Sequence, residues 1–308
     1  MTISLRAKLI VSFMAVIVVC GLISTLTGVH IITTDVIREA QAKVKADLNS
    51  AREIYAQEIK EIENVVNFTA LRFFVKDAVA GNDIAKLEKE LLKIKKDNGL
   101  DVLTLTDRNG AVIVRAGNLS CCGDNQSSNV IVSAVISNKT VVAGTEIVSK
   151  EELVKEGEDF VKQAGIKLIP TLKAKATSKT EECSGMMMKA AAPVLNNNNE
   201  LLGVLYGGRL LNRDYKVVDK IKNIVYKDVK YKGKDIGTAT IFQEDLRIST
   251  NVRTEDNKRA IGTRVSKEVY DAVLVNGNNW IDRAFVVNNW YITAYEPIRG
   301  IKGDIIGM

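Results

Sequence analysis

A long uncharged run dominates the N-terminal part of the chain. Residues 9–26 carry no charged side chain, and the apolar pattern continues to residue 32. About 18 or more such residues can cross a bilayer as a helix, the form that satisfies backbone groups in hydrocarbon. Arg6 and Lys8 precede the run. The positive-inside rule therefore predicts a cytoplasmic segment at 1–8, a transmembrane helix at 9–32 and an extracytoplasmic remainder.

The competing interpretation of this run is a cleaved signal peptide. Such peptides have a shorter apolar core and a small-residue cleavage site of the Ala-x-Ala kind. Here the core is long and contains no Ala-x-Ala. The pattern favours a retained anchor in the inner (plasma) membrane.

A helical period follows the apolar run. From Thr34 to Ala80 there is no proline or glycine, and apolar or small residues recur at steps of three and four between Val44 and Phe73. This pattern predicts a stalk helix at 33–80, on the order of 70 Å long. The same spacing suits a partner helix, so a homodimer through the stalk is expected. Residues 81–83 should end the stalk and cap a helix at 84–96.

Beyond residue 100, short apolar runs separated by turn residues predict strands. A hairpin is expected at 101–106 and 111–115, because Asn109-Gly110 between them tolerates positive φ. Further strands are expected at 140–148, 186–195, 201–207, 237–242, 247–250, 284–287 and 290–295, the last two turning at Asn288-Asn289. Helices are expected at 129–136, from Ser149 to 163, at 210–226 and from Ser266 to 274.

Two parts of this pattern repeat. Pro193-Val194 precedes Leu201-Leu202-Gly203, and Pro297-Ile298 precedes Ile305-Ile306-Gly307 at the same spacing. The alternative is a chance match between hairpins. We interpret the repeat as two tandem α+β modules, a membrane-distal one at 81–210 and a membrane-proximal one at 211–308. The second copy stops inside its last strand, so we expect it to be truncated and followed by a second membrane helix and a cytoplasmic output domain.

Several motifs carry a family resemblance. They are SGM at 184–186, AAPV at 191–194, LLGVLYGG at 201–208, LLN at 210–212, GTATIF at 237–242, RISTNV at 247–252, RAIGT at 259–263 and YITAYEPI at 291–298. With the anchor and stalk, this layout resembles the double Cache sensor regions of bacterial receptors, more closely the fused Cache 3/Cache 2 type of histidine kinases and chemotaxis receptors. The resemblance implies an α+β fold with a PAS-like antiparallel sheet in each module. It also implies that the distal module usually holds the ligand.

The chemistry-bearing residues argue against an enzyme. The single histidine, His30, lies at the membrane boundary, so neither a Ser-His-Asp triad nor a common zinc site can form outside the membrane. No P-loop or haem-attachment motif is present. We expect no catalytic residue, no cofactor and no metal in this chain. The net charge of +6 indicates a solvated basic surface or a preference for anionic ligands, and nucleic acid is not an expected partner.

The expected function is to sense a small molecule, possibly anionic, such as an organic acid. An arginine such as Arg115 on a strand could grip a carboxylate bidentately, although a solvated strand edge is the simpler interpretation. The candidate ligand-binding residues are Arg115, Lys173, Lys189, Tyr206, Arg247, Thr250, Asn251, Arg253, Tyr291 and Tyr295. Ligand binding would shift the stalk by about 1–2 Å and bias an output domain. An anchored scaffold with empty pockets is another interpretation.

The cysteines offer a different function. Cys20 lies in the predicted span, whereas Cys121, Cys122 and Cys183 lie outside it. One disulfide, Cys183 with Cys121 or Cys122, and one free thiol is the simplest arrangement, and a reducing habitat would leave three thiols. The alternative hypothesis is a thiol-based redox or soft-metal sensor at these cysteines, with the methionines at 186–188 as further sulfur ligands.

Overall fold

The computed structural model describes residues 5–79, 84–227, 230–231 and 234–308. Its helices are α1 (Leu5–Ala70), α2 (Phe73–Val79), α3 (Ile84–Asp97), α4 (Val130–Asn138), α5 (Lys150–Glu156), α6 (Glu158–Ala164), α7 (Lys216–Val225), α8 (Lys267–Val269) and a π-helix (Tyr270–Val275). Its strands are β1 (Val102–Asp107), β2 (Val112–Arg115), β3 (Val142–Val148), β4 (Ile166–Lys167), β5 (Glu181–Glu182), β6 (Gly185–Leu195), β7 (Leu201–Leu210), β8 (Lys230–Tyr231), β9 (Lys234–Asp235), β10 (Thr240–Gln243), β11 (Leu246–Thr250), β12 (Trp280–Val286), β13 (Asn289–Tyr295), β14 (Ile298–Arg299) and β15 (Ile305–Gly307).

Helix α1 contains both the predicted span and most of the predicted stalk. It is the one helix, within the described residues, that is long and apolar enough to cross a bilayer. It ends at Ala70 rather than near residue 80, and α2 follows as a separate helix. The amide of Arg72 bonds to the carbonyl of Thr69, which tightens the last turn and lets Val75 enter the core. The expected end signals at 81–83 lie outside the described residues.

The face of α1 that was expected to pair in a dimer is largely occupied by the chain itself. Ile62 and Val66 are fully buried in the core, and Tyr55 and Ile59 pack against it. Between Tyr55 and Val66 the three-and-four spacing therefore serves packing against the modules, and pairing of the stalk in a homodimer stays a prediction. Residues 12–27 and 29–39 of α1 are exposed on all sides, and 33–39 lie beyond the predicted span.

The distal module is an antiparallel sheet in the order β2-β1-β7-β6-β3. Helices α1, α2 and α3 cover one face, where Leu91, Leu103 and Leu205 are buried. The opposite face packs against α4, α5 and α6, with Ile131 and Leu153 in its core. Because β6 is covered on both faces of the sheet, both sets of its side chains are buried, and its sequence is nearly continuously apolar.

The proximal module repeats this topology. Its sheet has the order β11-β10-β15-β14, and β12 pairs with β13. Strand β13 continues into β14 through Glu296-Pro297, so the two form one interrupted strand. Counting them as one gives the order β11-β10-β15-β14/β13-β12, which matches β2-β1-β7-β6-β3 in the distal sheet. Both modules also carry a register shift in the pairing of their first two strands, which leaves Ile113 and Ile248 unpaired in register. The predicted internal repeat and the α+β fold with PAS-like sheets are confirmed.

One predicted turn forms as expected, whereas one predicted helix is divided. The hairpin at Asn109-Gly110 forms as predicted, with Gly110 at φ 88°. Ser149 accepts a hydrogen bond from the amide of Glu152, but Gly157, at φ 153°, divides the predicted helix into α5 and α6.

Two other predictions needed correction. The predicted helix at 210–226 begins only at Lys216, because Leu210 still pairs with Met187 in the sheet. The β12–β13 turn lies one residue earlier than predicted, since Val286 pairs with Asn289.

The cysteine prediction also needs correction. All four cysteines, which lie within the described residues, are free. Cys121 and Cys122 follow β2, whereas Cys183 precedes β6, and strands β1 and β7 lie between β2 and β6. Strands are about 4.8 Å apart, so this separation exceeds the roughly 7 Å that a disulfide spans between Cα atoms. The geometry therefore gives no support to a shared thiol or soft-metal site.

Candidate functional site

Each module buries one arginine on its second strand, and the two arginines have opposite surroundings. In the distal module, Arg115 is fully buried. Its Nη1 and Nη2 donate to the two carboxylate oxygens of Asp124 at 2.5 and 2.9 Å, and its Nε donates to Glu156 Oε1 at 3.2 Å. Arg115 thus grips carboxylates bidentately, as predicted for a ligand, but the carboxylates belong to the chain.

These contacts shift the pKa values of the pair. Burial disfavours the charge on Arg115, but the hydrogen bond with Asp124 and the nearby charges of Glu156 and Asp124 together outweigh it and raise the pKa of Arg115. The same hydrogen bond holds the pKa of Asp124 well below its usual range. Both groups therefore stay charged at neutral pH.

Glu156 is the centre of this distal polar cluster. Tyr206 donates its hydroxyl hydrogen to Glu156 Oε1 at 3.1 Å, and Thr104 donates to Oε2 at 3.4 Å. Lys189 pairs with Glu146 at 2.5 Å and lies 5.1 Å from the centroid of the Tyr206 ring. The structure thus brings together the predicted residues Arg115, Lys189 and Tyr206. Each cation of the cluster already has an internal carboxylate.

In the proximal module, Arg247 has no such partner. It is 2% exposed, and its Nη1 donates to the hydroxyls of Thr240 and Thr250 at 3.2 and 3.4 Å. Its Cζ lies 4.9 Å from the centroid of the Phe242 ring, and its Nε has no acceptor. Among the described residues, no carboxylate forms an ion pair with it. Burial lowers the pKa of Arg247 to about 10, so the group remains a cation near neutral pH.

The β-bulge explains how Arg247 reaches this position. Strand side chains alternate between faces, and one extra residue in a strand reverses the alternation beyond it. With Ile248 as the extra residue, Thr240 pairs with Thr250 and Phe242 pairs with Arg247. All four side chains therefore share the face that packs against α8 and the π-helix.

Aromatic and polar groups surround this face. The rings of Phe242 and Tyr295 meet edge to face at 6.0 Å, and Tyr295 pairs with Trp280 across β12 and β13. Burial raises the pKa of Tyr295, which keeps its hydroxyl neutral. The predicted residues Arg247, Thr250 and Tyr295 are thus neighbours. We call Arg247, Thr240, Thr250, Phe242 and Tyr295 the proximal arginine site.

The proximal module also holds the unmet hydrogen-bonding groups. Among the described residues, the buried side-chain polar atoms without a partner are Arg247 Nε, Arg264 Nε, Ser266 Oγ and Trp280 Nε1. Ser266 was predicted to cap a helix, but its hydroxyl makes no cap hydrogen bond. A buried polar group left unpaired costs about 1–3 kcal/mol. Three of these atoms are N–H donors and the fourth is a hydroxyl, so each of them could donate to an added acceptor.

The remaining candidates lie elsewhere. Asn251 joins two segments, since its Oδ1 accepts from the amide of Ala239 and its Nδ2 donates to the carbonyl of Val218. Tyr291 is half exposed on the β12–β13 hairpin. Lys173 lies 4.0 Å from the centroid of the Trp290 ring, and Arg253 donates to the carbonyl of Asn257.

Sequence reasoning missed the residues that decide between the two arginines. Asp124 and Glu156 have no motif around them, and they reach Arg115 only through the packing of a loop and α5. Thr240 and Phe242 were predicted as strand residues, but their face depends on the bulge. The available signal was a threonine at each end of the first hairpin of the proximal module.

Comparison with known proteins identifies the proximal module. The model of the family described as single Cache domain 3 matches residues 209–308. This part of the chain is similar to that family, which bears out the resemblance seen in the sequence over residues 209–308. No curated protein matches the chain.

Solved structures of sensor regions are similar to the chain at low identity. The periplasmic domain of Vibrio cholerae LuxQ has 10% identity and a TM-score of 0.42, over 70% of this chain and 82% of that one. The extracellular domain of the putative histidine kinase vpHK1S-Z8 has 10% identity and a TM-score of 0.46, over 87% of this chain and 88% of that one. The ligand-binding domain of the Campylobacter jejuni chemoreceptor Tlp3, in complex with L-valine, has 10% identity and a TM-score of 0.43, over 84% of this chain and 86% of that one.

Proposed function

We propose that the chain is the extracytoplasmic sensing region of a membrane receptor and that its proximal module binds a small organic anion at Arg247. One observation carries the proposal: a fully buried guanidinium lacks a carboxylate partner among the described residues. Buried charges in proteins are normally paired, because an isolated charge is costly to remove from water. A bound carboxylate would supply the missing charge.

The contrast with the distal module supports this choice of site. Arg115 occupies the same strand of the repeat but is neutralised by Asp124 and Glu156. A ligand carboxylate would have to displace one of these groups to reach Arg115. Nothing comparable blocks Arg247, whose nearest polar partners are the neutral hydroxyls of Thr240 and Thr250.

The surroundings of Arg247 favour a ligand with one carboxylate and a short apolar body. Phe242, Val269 and Ala284 belong to the core beside the site, and Trp280 and Tyr295 pack against it. A single guanidinium matches a single carboxylate in charge and geometry. We assign no catalytic step to the chain.

Helix α1 connects this site to the membrane. Arg52 of α1 forms an ion pair with Glu296, which directly follows Tyr295. Gln41 donates to Asp282 on β12, nearer the predicted span. Movement of β13 on ligand binding would therefore reach α1 directly and pass along it into the bilayer. A homodimer would pair through the exposed part of α1 near residues 31–39.

A thermal-shift panel tests the proposal. The full chain, in nanodiscs of zwitterionic lipid, is screened against monocarboxylic, dicarboxylic and aromatic acids. We expect at least one monocarboxylate to raise the melting temperature of the wild type and to have no effect on Arg247→Met. Arg253→Met, which changes an arginine of the same module outside the site, should keep the response. Silence across the panel, or a response that survives in Arg247→Met, would overturn the proposal.

A further inference from the structure

A second cationic feature lies between the two modules. A cavity of about 800 Å³, open to solvent, is lined by β4 and β5 of the distal module and by the segment after β11 of the proximal module. Its charged lining residues are Lys167, Glu181, Arg213, Arg253, Lys258 and Arg259. Five of these are cations and one is an acid. We call this cavity the intermodule groove.

Two of the five cations are neutralised locally. Arg259 donates to both carboxylate oxygens of Asp219, at 2.8 and 2.7 Å, and Lys258 pairs with Asp256 at 2.8 Å. The Arg259 guanidinium also lies 4.1 Å from the centroid of the Tyr215 ring. These groups fix one wall of the groove and contribute little net charge.

The other three cations have no carboxylate partner within the described part of the chain. Arg213 donates to the main-chain carbonyls of Lys162, Gln163 and Gly165, at 3.2, 2.7 and 2.7 Å. These neutral groups hold the guanidinium in place without cancelling its charge. Arg253 donates only to the carbonyl of Asn257, at 2.7 Å. Lys167, on β4, lies opposite Glu181 across the strand pair but forms no ion pair with it.

Backbone pairing fixes the position of Arg253 in the groove. Arg253 and Arg259 are direct partners in an antiparallel bridge. Arg253, which has no carboxylate partner among the described residues, is therefore held beside the Arg259–Asp219 ion pair.

We propose that the intermodule groove binds a small multivalent anion, a molecule carrying at least two phosphate or carboxylate groups. Its volume lies within the range of about 300–1,000 Å³ that is typical of small-molecule sites. The unpaired cations come from both modules: Lys167 from the distal one, Arg213 from the segment that joins them, and Arg253 from the proximal one. The ligand must carry several separate negative charges to contact all three cations. The charge of one carboxylate alone would be largely screened in a groove that is open to solvent.

Such a ligand would act as a bridge. It would favour the arrangement of the modules in which the three cations converge, since a ligand shifts an equilibrium by its differential affinity for the two states. The groove is a different site from the proximal arginine site, and the two proposals do not depend on each other. One chain would then respond to two kinds of anion.

Isothermal titration of the full chain in zwitterionic nanodiscs, at fixed ionic strength, tests the proposal. Pyrophosphate and citrate are the probes, and acetate is the monovalent reference. We expect the wild type to bind at least one multivalent probe, and any heat with acetate to disappear in Arg247→Met, which lacks the proposed monocarboxylate site. Lys167→Gln and Arg253→Gln should each weaken that binding about tenfold, because each removes one cation from the groove. Neither variant breaks an internal ion pair, so the fold should be unaffected. Lys93→Gln, at an exposed position on α3, is the matched loss of one charge and should bind as the wild type does.

The outcomes separate the two sites. Arg247→Met should retain pyrophosphate or citrate binding, even if it loses the monocarboxylate response. Absence of binding to both multivalent probes would overturn the groove proposal, as would equal weakening by Lys93→Gln or unchanged binding by both groove variants. Loss of multivalent binding in Arg247→Met would assign the anion to the proximal arginine site instead.

Discussion

Replacing Arg247 by methionine should leave the unliganded protein as stable as the wild type or make it more stable. Lowering the pKa of Arg247 to about 10 by burial corresponds to a folding penalty on the order of 3 kcal/mol. Methionine of similar length removes that penalty. It also loses the two threonine hydrogen bonds and the contact with the Phe242 ring, which together return about 2 kcal/mol. The net effect lies between no change and a gain of about 2 kcal/mol.

The tryptophans allow the change in stability to be measured in the proximal module. Both of them, Trp280 and Trp290, lie in the proximal module, so urea unfolding followed by tryptophan fluorescence reports on it selectively. Arg115→Met is the matched control, measured by far-ultraviolet circular dichroism. It leaves Glu156 buried and Asp124 partly buried without the guanidinium they share, which should cost about 3–5 kcal/mol.

The pH dependence provides a second readout. A base whose folded pKa is lowered carries its full penalty below that pKa and loses it as pH rises towards the unfolded value. The stability difference between Arg247→Met and the wild type should be constant from about pH 6 to 9 and should shift in favour of the wild type above about pH 10. If Arg247→Met destabilises the proximal module by several kcal/mol, as Arg115→Met does the distal one, Arg247 is a structural residue and the reasoning is refuted.

Two further predictions concern the distal module and the helix. The pKa of Asp124 is lowered by its hydrogen bond with Arg115, so its contribution to stability is present above about pH 4 and is lost as pH falls through lower values; acid titration should show this loss in the wild type but not in Arg115→Met. Arg52→Gln breaks an exposed ion pair with Glu296 and should change stability by less than about 1 kcal/mol; spin labels on α1 and β13 should nevertheless lose their ligand-induced distance change, and an unchanged response would remove Arg52 from the relay.

Features fixed by local chemistry could be predicted from the sequence. The turn at Asn109-Gly110 forms with Gly110 at positive φ, which glycine tolerates, and the repeated proline and glycine spacing marked the same strands in both modules. The end of α1 at Ala70 could not be predicted, since no proline or glycine lies there and the helix ends where Val75 turns into the core. Val287 adopts φ 58°, a conformation that β-branched residues rarely take, so the shifted turn had no sequence signal.

The candidate site was predictable in residue type but not in partners. Arg115 and Arg247 look alike in sequence, as arginines on short apolar strands. Their difference arises from Glu156, 41 positions beyond Arg115, and from the bulge at Ile248. Both depend on tertiary packing. The family resemblance implies a ligand site in the distal module. Our proposal places it in the proximal module instead, because Arg115 is paired with carboxylates of the chain and Arg247 is not.

The central claim is that an organic anion occupies the proximal module. An experimental structure of the chain with the monocarboxylate that most raises its melting temperature tests this most directly. We expect a carboxylate about 3 Å from Arg247 Nε, with the Arg115–Asp124 and Arg115–Glu156 contacts unchanged. A carboxylate found at Arg115 in place of Glu156, with the proximal arginine site unliganded, would contradict it.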